Sequence, residues 1–278
     1  MLELQTWLVD SFASKPFSGN PAAVVVLKEA LPDSLLQAIA LEFNQSETAF
    51  ILDREGESPV LRWFTPIQEV DLCGHATLAA AYVWLNELYP AQSSVTFNTV
   101  FVGSLTVTTS PTQTGFLQMA FPLRSGKSLS IQDVPKELIE RIHPTERPIA
   151  VIEARDLVLV YENPQVVKEY QPHYDSLALV KPWVCLTAPA SVEESAEVHF
   201  ISRFFDQYQK AEDPVTGSSF CTLAPYWANR LQQTDVVGYQ ASARGGTVLC
   251  HVNESQQQVL IQGRACLVSQ GTLFLPYD

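Results

Sequence analysis

Asp71-Leu72-Cys73-Gly74-His75-Ala76-Thr77 and Asp213-Pro214-Val215-Thr216-Gly217-Ser218-Ser219 read as two versions of one device. Each sets a glycine ahead of a small or polar residue and then opens an apolar helical pattern. With Gly74 laid on Gly217, Ala81 meets Ala224 and Trp84 meets Trp227. Upstream, Arg62-Trp63-Phe64 echoes Arg203-Phe204-Phe205. Two helix starts of this kind would gather backbone N–H donors and positive dipole ends, an environment that suits a small anion. Similarity between two amphipathic helices explains the same residues without any shared site.

Around these segments the chain alternates strand-like and helix-like stretches. Pro21–Leu27, Thr48–Leu52 and Val60–Phe64 are β-branched or aromatic runs that predict strands. Between the first two, Pro32-Asp33 signals a helix start, with Leu35, Leu36, Ile39, Ala40 and Phe43 at helical spacing. Gly74–Leu85 predicts a helix, and Val95–Phe97 with Leu105–Thr108 a strand pair. Pro122–Lys127 (PLRSGK) has the composition of a linker. Beyond it the pattern resumes. Val134–Ile142 predicts a helix, Ala150–Ile152 and Leu157–Tyr161 strands, and Val166–Leu179 an irregular helix broken by proline. Trp183–Leu186 and Val198–Phe204 predict strands. Gly217–Leu231 predicts a helix that Pro225 should end or kink. Four short strands close the chain at Thr247–Val252, Gln258–Ile261, Ala265–Val268 and Thr272–Leu275. The order suits antiparallel or mixed sheets with a helix against each rather than a regular parallel βαβ sheet. At 278 residues two α+β lobes are expected, 1–121 and 122–278, with the last strand, about 267–278, packing back on the first lobe.

Composition excludes several function classes. The formal net charge of −13 disfavours nucleic acid and anionic membrane surfaces as partners. No apolar run approaches the roughly 20 residues of a membrane span. Met1-Leu2-Glu3-Leu4-Gln5 lacks a basic start and a long apolar stretch, so no secretory signal is read there. Five singly scattered cysteines without a CxxC pair argue against a disulfide framework or structural zinc and suit a reducing cytoplasm. No GxGxxG, GxxxxGK[ST], HExxH or GxSxG is present, so nucleotide-binding, zinc-protease and nucleophile-elbow chemistries are not expected, nor is a metal.

The residues left to do chemistry are few. Glu47 stands where polar Asn44-Gln45-Ser46 gives way to apolar Thr48-Ala49-Phe50. A carboxylate there can be partly desolvated toward a general base, although the local pattern better fits a capping or solvated carboxylate. His75 at a helix start fits proton handling or a structural role. Cys73 fits a helix-start thiol or simple packing. Asp213 fits a site carboxylate or a cap, and Ser218 an anion-binding hydroxyl or an N-cap. Gly19-Asn20-Pro21 and Gly245-Gly246 are turns where backbone can approach a ligand, and also ordinary turn chemistry.

Taken together, Phe17-Ser18-Gly19-Asn20-Pro21-Ala22-Ala23-Val24, Glu47-Thr48-Ala49-Phe50, Arg62-Trp63-Phe64-Thr65-Pro66, Val70 to Ala79, Glu212 to Ser218 and Ala243-Arg244-Gly245-Gly246 resemble the PhzF-like family of phenazine biosynthesis, in order and across nearly the whole chain. The resemblance implies the diaminopimelate-epimerase-like fold: two pseudo-symmetric α+β lobes, each a curved, mostly antiparallel, barrel-like sheet around a central helix, with the active site between them. It also implies a homodimer, no cofactor, and isomerisation of a small carboxylate-bearing metabolite by proton transfer. By the same resemblance the general acid/base falls on Glu47, with His75 and Asp213 supporting it. Gly74, Gly217, Ser218, Asn20 and Gly245 fall to substrate binding. Related epimerases use a cysteine at each helix start. Here Cys73 holds the first position and Thr216 the second, so a two-thiol mechanism lacks its partner. Ser219-Phe220 stands where many relatives carry Ala-His, which bears on pocket shape. A non-catalytic binding protein on this fold and an amino-acid epimerase are the alternative readings.

Overall fold

A computed structural model describes residues 1–181, 183–191 and 194–276. It divides into two compact units, Met1–Ala120 with the C-terminal segment that begins at Gln262, and Phe121–Ile261.

In the first unit the strands are β1 (Leu2–Ser11), β2 (Asn20–Leu27), β3 (Glu47–Leu52), β4 (Val60–Phe64), β5 (Glu69–Val70), β6 (Ser94–Thr99), β7 (Ser104–Thr109) and β8 (Leu117–Pro122). β1 pairs antiparallel with β2, β2 parallel with β3, and β3 antiparallel with β4. β4 takes β5 antiparallel and β6 parallel, and β6–β7–β8 is an antiparallel meander. Two helices lie in this unit, α1 (Asp33–Phe43) and α2 (Gly74–Tyr82). Every residue of α2 from Gly74 to Ala81 is buried. A helix apolar all round cannot face water, so it lies among strands, here β1, β2 and β3. Leu36, Ile39 and Ala40 of α1 join Val25, Phe50 and Phe64 in a separate core cluster.

Sequence reading missed β1. Its partner is the C-terminal strand, Ala265–Leu275, which runs as one element where two strands were expected. The extra residue near Val268 is absorbed as a bulge opposite Leu8 and Val9. The last strand was expected over about 267–278, of which 277–278 lie outside the described residues.

In the second unit the strands are β9 (Lys127–Leu129), β10 (Ala150–Glu153), β11 (Leu157–Val160), β12 (Trp183–Pro189), β13 (Phe200–Asp206), β14 (Ala211–Asp213), β15 (Asp235–Gln240), β16 (Gly246–Asn253) and β17 (Gln258–Gly263). From β10 to β16 the pairings repeat those of β1 to β7 in order and direction. They run antiparallel, parallel, antiparallel, then from β13 antiparallel to β14 and parallel to β15, then antiparallel to β16. Three short helices, α3 (Lys136–Ile142), α4 (Pro164–Glu169) and α5 (Tyr174–Leu177), precede α6 (Phe220–Leu231), which packs on β15 and β16. The fold class is therefore α+β with a repeated, mostly antiparallel sheet and a helix in each half. Among the described residues neither set of pairings closes on itself, so the sheets are open and the barrel-like expectation is corrected to that extent.

Two further expectations change at the second helix. Gly217–Ser219 is a 3-10 turn, and α-helix begins only at Phe220. Pro225 neither ends nor interrupts α6. Proline cannot donate to the carbonyl four residues back, that of Cys221. The backbone N–H of Arg124 donates to that carbonyl instead, at 2.9 Å, so the helix continues without an orphaned acceptor. The expected linker thus contains the residue that makes the proline tolerable. In the first half α2 passes into a π-helical turn at Val83–Leu88, extending the expected helix.

Candidate active site

β2 and β3 are parallel with Ala22 opposite Glu47, so Asn20 and Glu47 both stand at the start of their strands. The turn before β2 needs Gly19, which is left-handed at φ 65°, and any Cβ there would lie 2.1 Å from the Ser11 carbonyl oxygen. Cys73 occupies the N-cap position of α2 in extended conformation, and its side chain accepts no hydrogen bond from the helix. The first-turn N–H groups of α2 therefore take no cap from Cys73, and the positive end of the helix lies beside His75.

His75 is the hub. Its Nε2 lies 3.2 Å from Glu47 Oε2. Its Nδ1 lies 3.2 Å from Asn20 Nδ2 and 3.4 Å from Cys73 Sγ. Its backbone carbonyl accepts from Ser11 Oγ at 2.7 Å. Burial pushes its imidazole down to about 3, so the ring is neutral through the physiological range. The Nε2–Glu47 contact is within reach but not a well-aligned hydrogen bond. Desolvation still dominates, because a ring almost shut off from water has little to hydrate a second proton. Glu47 is half-buried, with 17% of its side-chain surface exposed.

Glu47, Cys73 and His75 offer ligand atoms within 4.8 Å of one another. Glu47 approaches Nε2 while Cys73 approaches Nδ1. One imidazole nitrogen cannot face both, so the trio does not fit a three-ligand cation cage as it stands.

In the second unit Asp213 ends β14, and its carboxylate accepts from Thr216 Oγ1. Gln240, fully buried, donates from Nε2 to the Asp213 carbonyl at 2.6 Å and accepts from the Thr216 N–H at 2.9 Å. It was not expected from the sequence, where a glutamine ending a strand carries no signal. Gly217 is buried and Ser218 half-buried, and the cap position belongs to Thr216 rather than Ser218. Gly245 is left-handed at φ 65°, and its N–H donates to Ser242 Oγ at 3.1 Å. The structure thus brings Glu47, His75, Asn20, Cys73 and Gly74 together in one unit, and Asp213, Thr216, Gly217, Ser218 and Gln240 in the other. Gly245 is tied to that second group through Ser242, which donates to the Pro214 carbonyl. A shallow pocket of about 470 Å³ lined by Ile131, Val134, Lys136, Ile139 and Arg147, among others, includes none of them.

Residues 9–271 match the family of phenazine biosynthesis-like proteins. The chain belongs to that family. An uncharacterised isomerase of Pseudomonas aeruginosa is 40% identical over 275 residues, covering 99% of this chain and all of the relative. A crystal structure of a PhzF-family phenazine biosynthesis protein from Enterococcus faecalis superposes with a TM-score of 0.88 at 37% identity, covering 99% of this chain and all of that one. A hydroxyproline epimerase from Agrobacterium vitis shares the fold alone, at 9% identity and a TM-score of 0.56, over 98% of this chain and 92% of that one. Membership carries the enzyme class of an isomerase, with the substrate unassigned. Among the described residues no helix is long and apolar enough to cross a membrane.

Proposed function

We propose that this chain is a cofactor-independent isomerase that moves a proton between carbons of a small, carboxylate-bearing metabolite, with Glu47 as general acid/base. The supporting observation is one contact: the half-buried Glu47 carboxylate lies 3.2 Å from Nε2 of a buried, neutral His75 in the first turn of α2. Glu47 takes an acidic proton next to a carbonyl, an imine or an unsaturated carboxylate and returns it to another carbon. His75 orients Glu47, and the Gly74 N–H with its neighbours offsets negative charge that develops on the substrate. Asp213 and Ser218 carry supporting roles in this reading, with Gly217 and Gly245 in substrate binding. Two-thiol transfer is disfavoured because Thr216 stands where a second cysteine is needed and its hydroxyl is committed to Asp213. A homodimer in the cytoplasm completes the proposal.

The test is carbon–hydrogen exchange. The protein is incubated in deuterium oxide with amino acids, 2-oxo acids and unsaturated carboxylates drawn from metabolites that accumulate in a deletion strain, and deuterium uptake is followed by NMR. Uptake that depends on Glu47 supports the reading. Tight binding of an accumulated metabolite without any exchange would instead assign a binding protein on this fold.

A further inference from the structure

The two nitrogens of His75 have neighbours of opposite character. Nδ1 faces the amide nitrogen of Asn20 at 3.2 Å and the Cys73 sulfur at 3.4 Å. Nε2 faces a Glu47 carboxylate oxygen at 3.2 Å. An amide NH₂ has only hydrogens to offer, and an ionised carboxylate only accepts. A neutral imidazole holds one ring proton, and these neighbours leave it one place, on Nε2. The amide of Asn20 is itself oriented, because Ser46 Oγ donates to its Oδ1 at 3.5 Å and leaves its nitrogen toward the ring.

We propose that Asn20 is a positioning residue: its amide holds His75 in the tautomer that carries the proton on Nε2, the ring nitrogen that lies 3.2 Å from Glu47. The opposite tautomer would set the Nδ1 hydrogen against the amide hydrogens and the Nε2 lone pair against the carboxylate, both repulsive. Asn20 can hold this post because it is buried and follows the left-handed Gly19. Ser11 ties the two ends together, since its carbonyl borders Gly19 and its hydroxyl bonds the His75 carbonyl. Asn20 therefore acts on Glu47 through the imidazole. The tautomer stands on geometry alone, whereas its consequence for catalysis rests on the proposed acid/base role of Glu47.

The experiment reads the ring directly. Full-length ¹⁵N-labelled protein at neutral pH is examined by long-range ¹H–¹⁵N correlation, with the His75 signals assigned by their loss in His75→Gln. Wild type is expected to show Nε2 protonated and Nδ1 bare. Asn20→Asp places an acceptor at Nδ1 and is expected to bring a proton there. Asn20→Ser, which is one bond too short to reach Nδ1 and carries a hydroxyl that can also accept, is expected to loosen the preference so that both tautomers appear. A wild-type ring protonated on Nδ1, or Asn20→Asp with an unchanged ring, overturns the proposal. Should Asn20→Asp fail to fold, the wild-type and Asn20→Ser spectra decide alone. If the tautomer is as expected but no carbon-bound hydrogen exchanges in any substrate tried, the isomerase reading falls and this inference stands.

Discussion

Arg62 and Arg203 occupy equivalent places in the two halves of the chain. Arg62 donates from Nε and Nη2 to the two carboxylate oxygens of Glu69 at 2.6 and 2.8 Å, and Arg203 does the same to Glu212 at 2.7 and 2.8 Å. Each guanidinium also lies 5.1 Å from the ring centre of the phenylalanine two residues on, Phe64 or Phe205. The strand registers agree, with Arg62 opposite Phe50 and Arg203 opposite Leu186. Carried along those registers, Glu47 corresponds to Trp183. The scaffold is repeated and the carboxylate is not, so Glu47 has no counterpart carboxylate at the matching place in the second half.

The two arginines are not equally costly to lose. Arg203 is buried and its Nη1 also donates to the carbonyls of Val167, Lys168 and Tyr170, whereas Arg62 turns its remaining nitrogen to exposed Asp33. Arg203→Met is expected to cost about 3 kcal/mol or more, because it strands Glu212 and three carbonyls. Arg62→Met is expected to cost about 1 kcal/mol. Urea midpoints of the two variants check the order.

Glu47→Gln keeps the size of the side chain and removes the titrating group. Deuterium uptake into the true substrate is expected to fall at least about a hundredfold while the fold is retained. Asp213→Asn retains a hydrogen-bond partner for Thr216 and is expected to slow uptake without changing the tautomer of His75. Wild-type rates in Glu47→Gln would remove Glu47 from the chemistry.

The buried imidazole makes an acid-stability prediction. Its folded value, about 3, lies below the ordinary 6.5. Between these values the unfolded chain binds a proton that the native state refuses. The stability contributed is therefore present above about pH 6.5 and lost as pH falls toward 3, with a slope of at most about 1.4 kcal/mol per pH unit. In His75→Gln the urea midpoint is expected to fall less steeply over that window than in wild type. Parallel curves would mean that the imidazole does not titrate as its burial requires.

Gly19 is irreplaceable for a steric reason and Gly103 is not. Both have φ above zero, but a Cβ on Gly19 meets the Ser11 carbonyl oxygen at 2.1 Å, and one on Gly103 meets nothing within 4 Å. Gly19→Ala is expected to destabilise by about 3 kcal/mol or more and to displace Asn20. Gly103→Ala is expected to cost about 1 kcal/mol. Thermal unfolding of the pair measures the difference.

Three thiols are expected to be inert in the native protein. Burial pushes Cys221 up to about 11, and Cys185 and Cys250 well above the ordinary thiol range. Iodoacetamide at pH 8 is expected to label them only after denaturant is added, because the thiolate is the nucleophile. Mass spectrometry of native and unfolded samples provides the readout.

The sequence by itself determined what local pattern encodes. The β-branched runs that became β2 and β3, the periodic apolar face of α1, the mostly apolar run of α2 and the paired Arg-aromatic echo were all legible, since side-chain period and turn chemistry act over a few residues. Family-specific motifs further singled out Glu47, His75 and Asp213. Only the tertiary structure decided which distant groups meet. β1 needed the C-terminal strand as its partner, and Pro225 was tolerable because Arg124 supplies a donor from outside the helix. Gln240 joined Asp213 to Thr216, and Asn20 met an imidazole 55 residues along the chain. Such pairings are set by which buried polar group satisfies which, a condition on the whole packed interior that no local spacing carries.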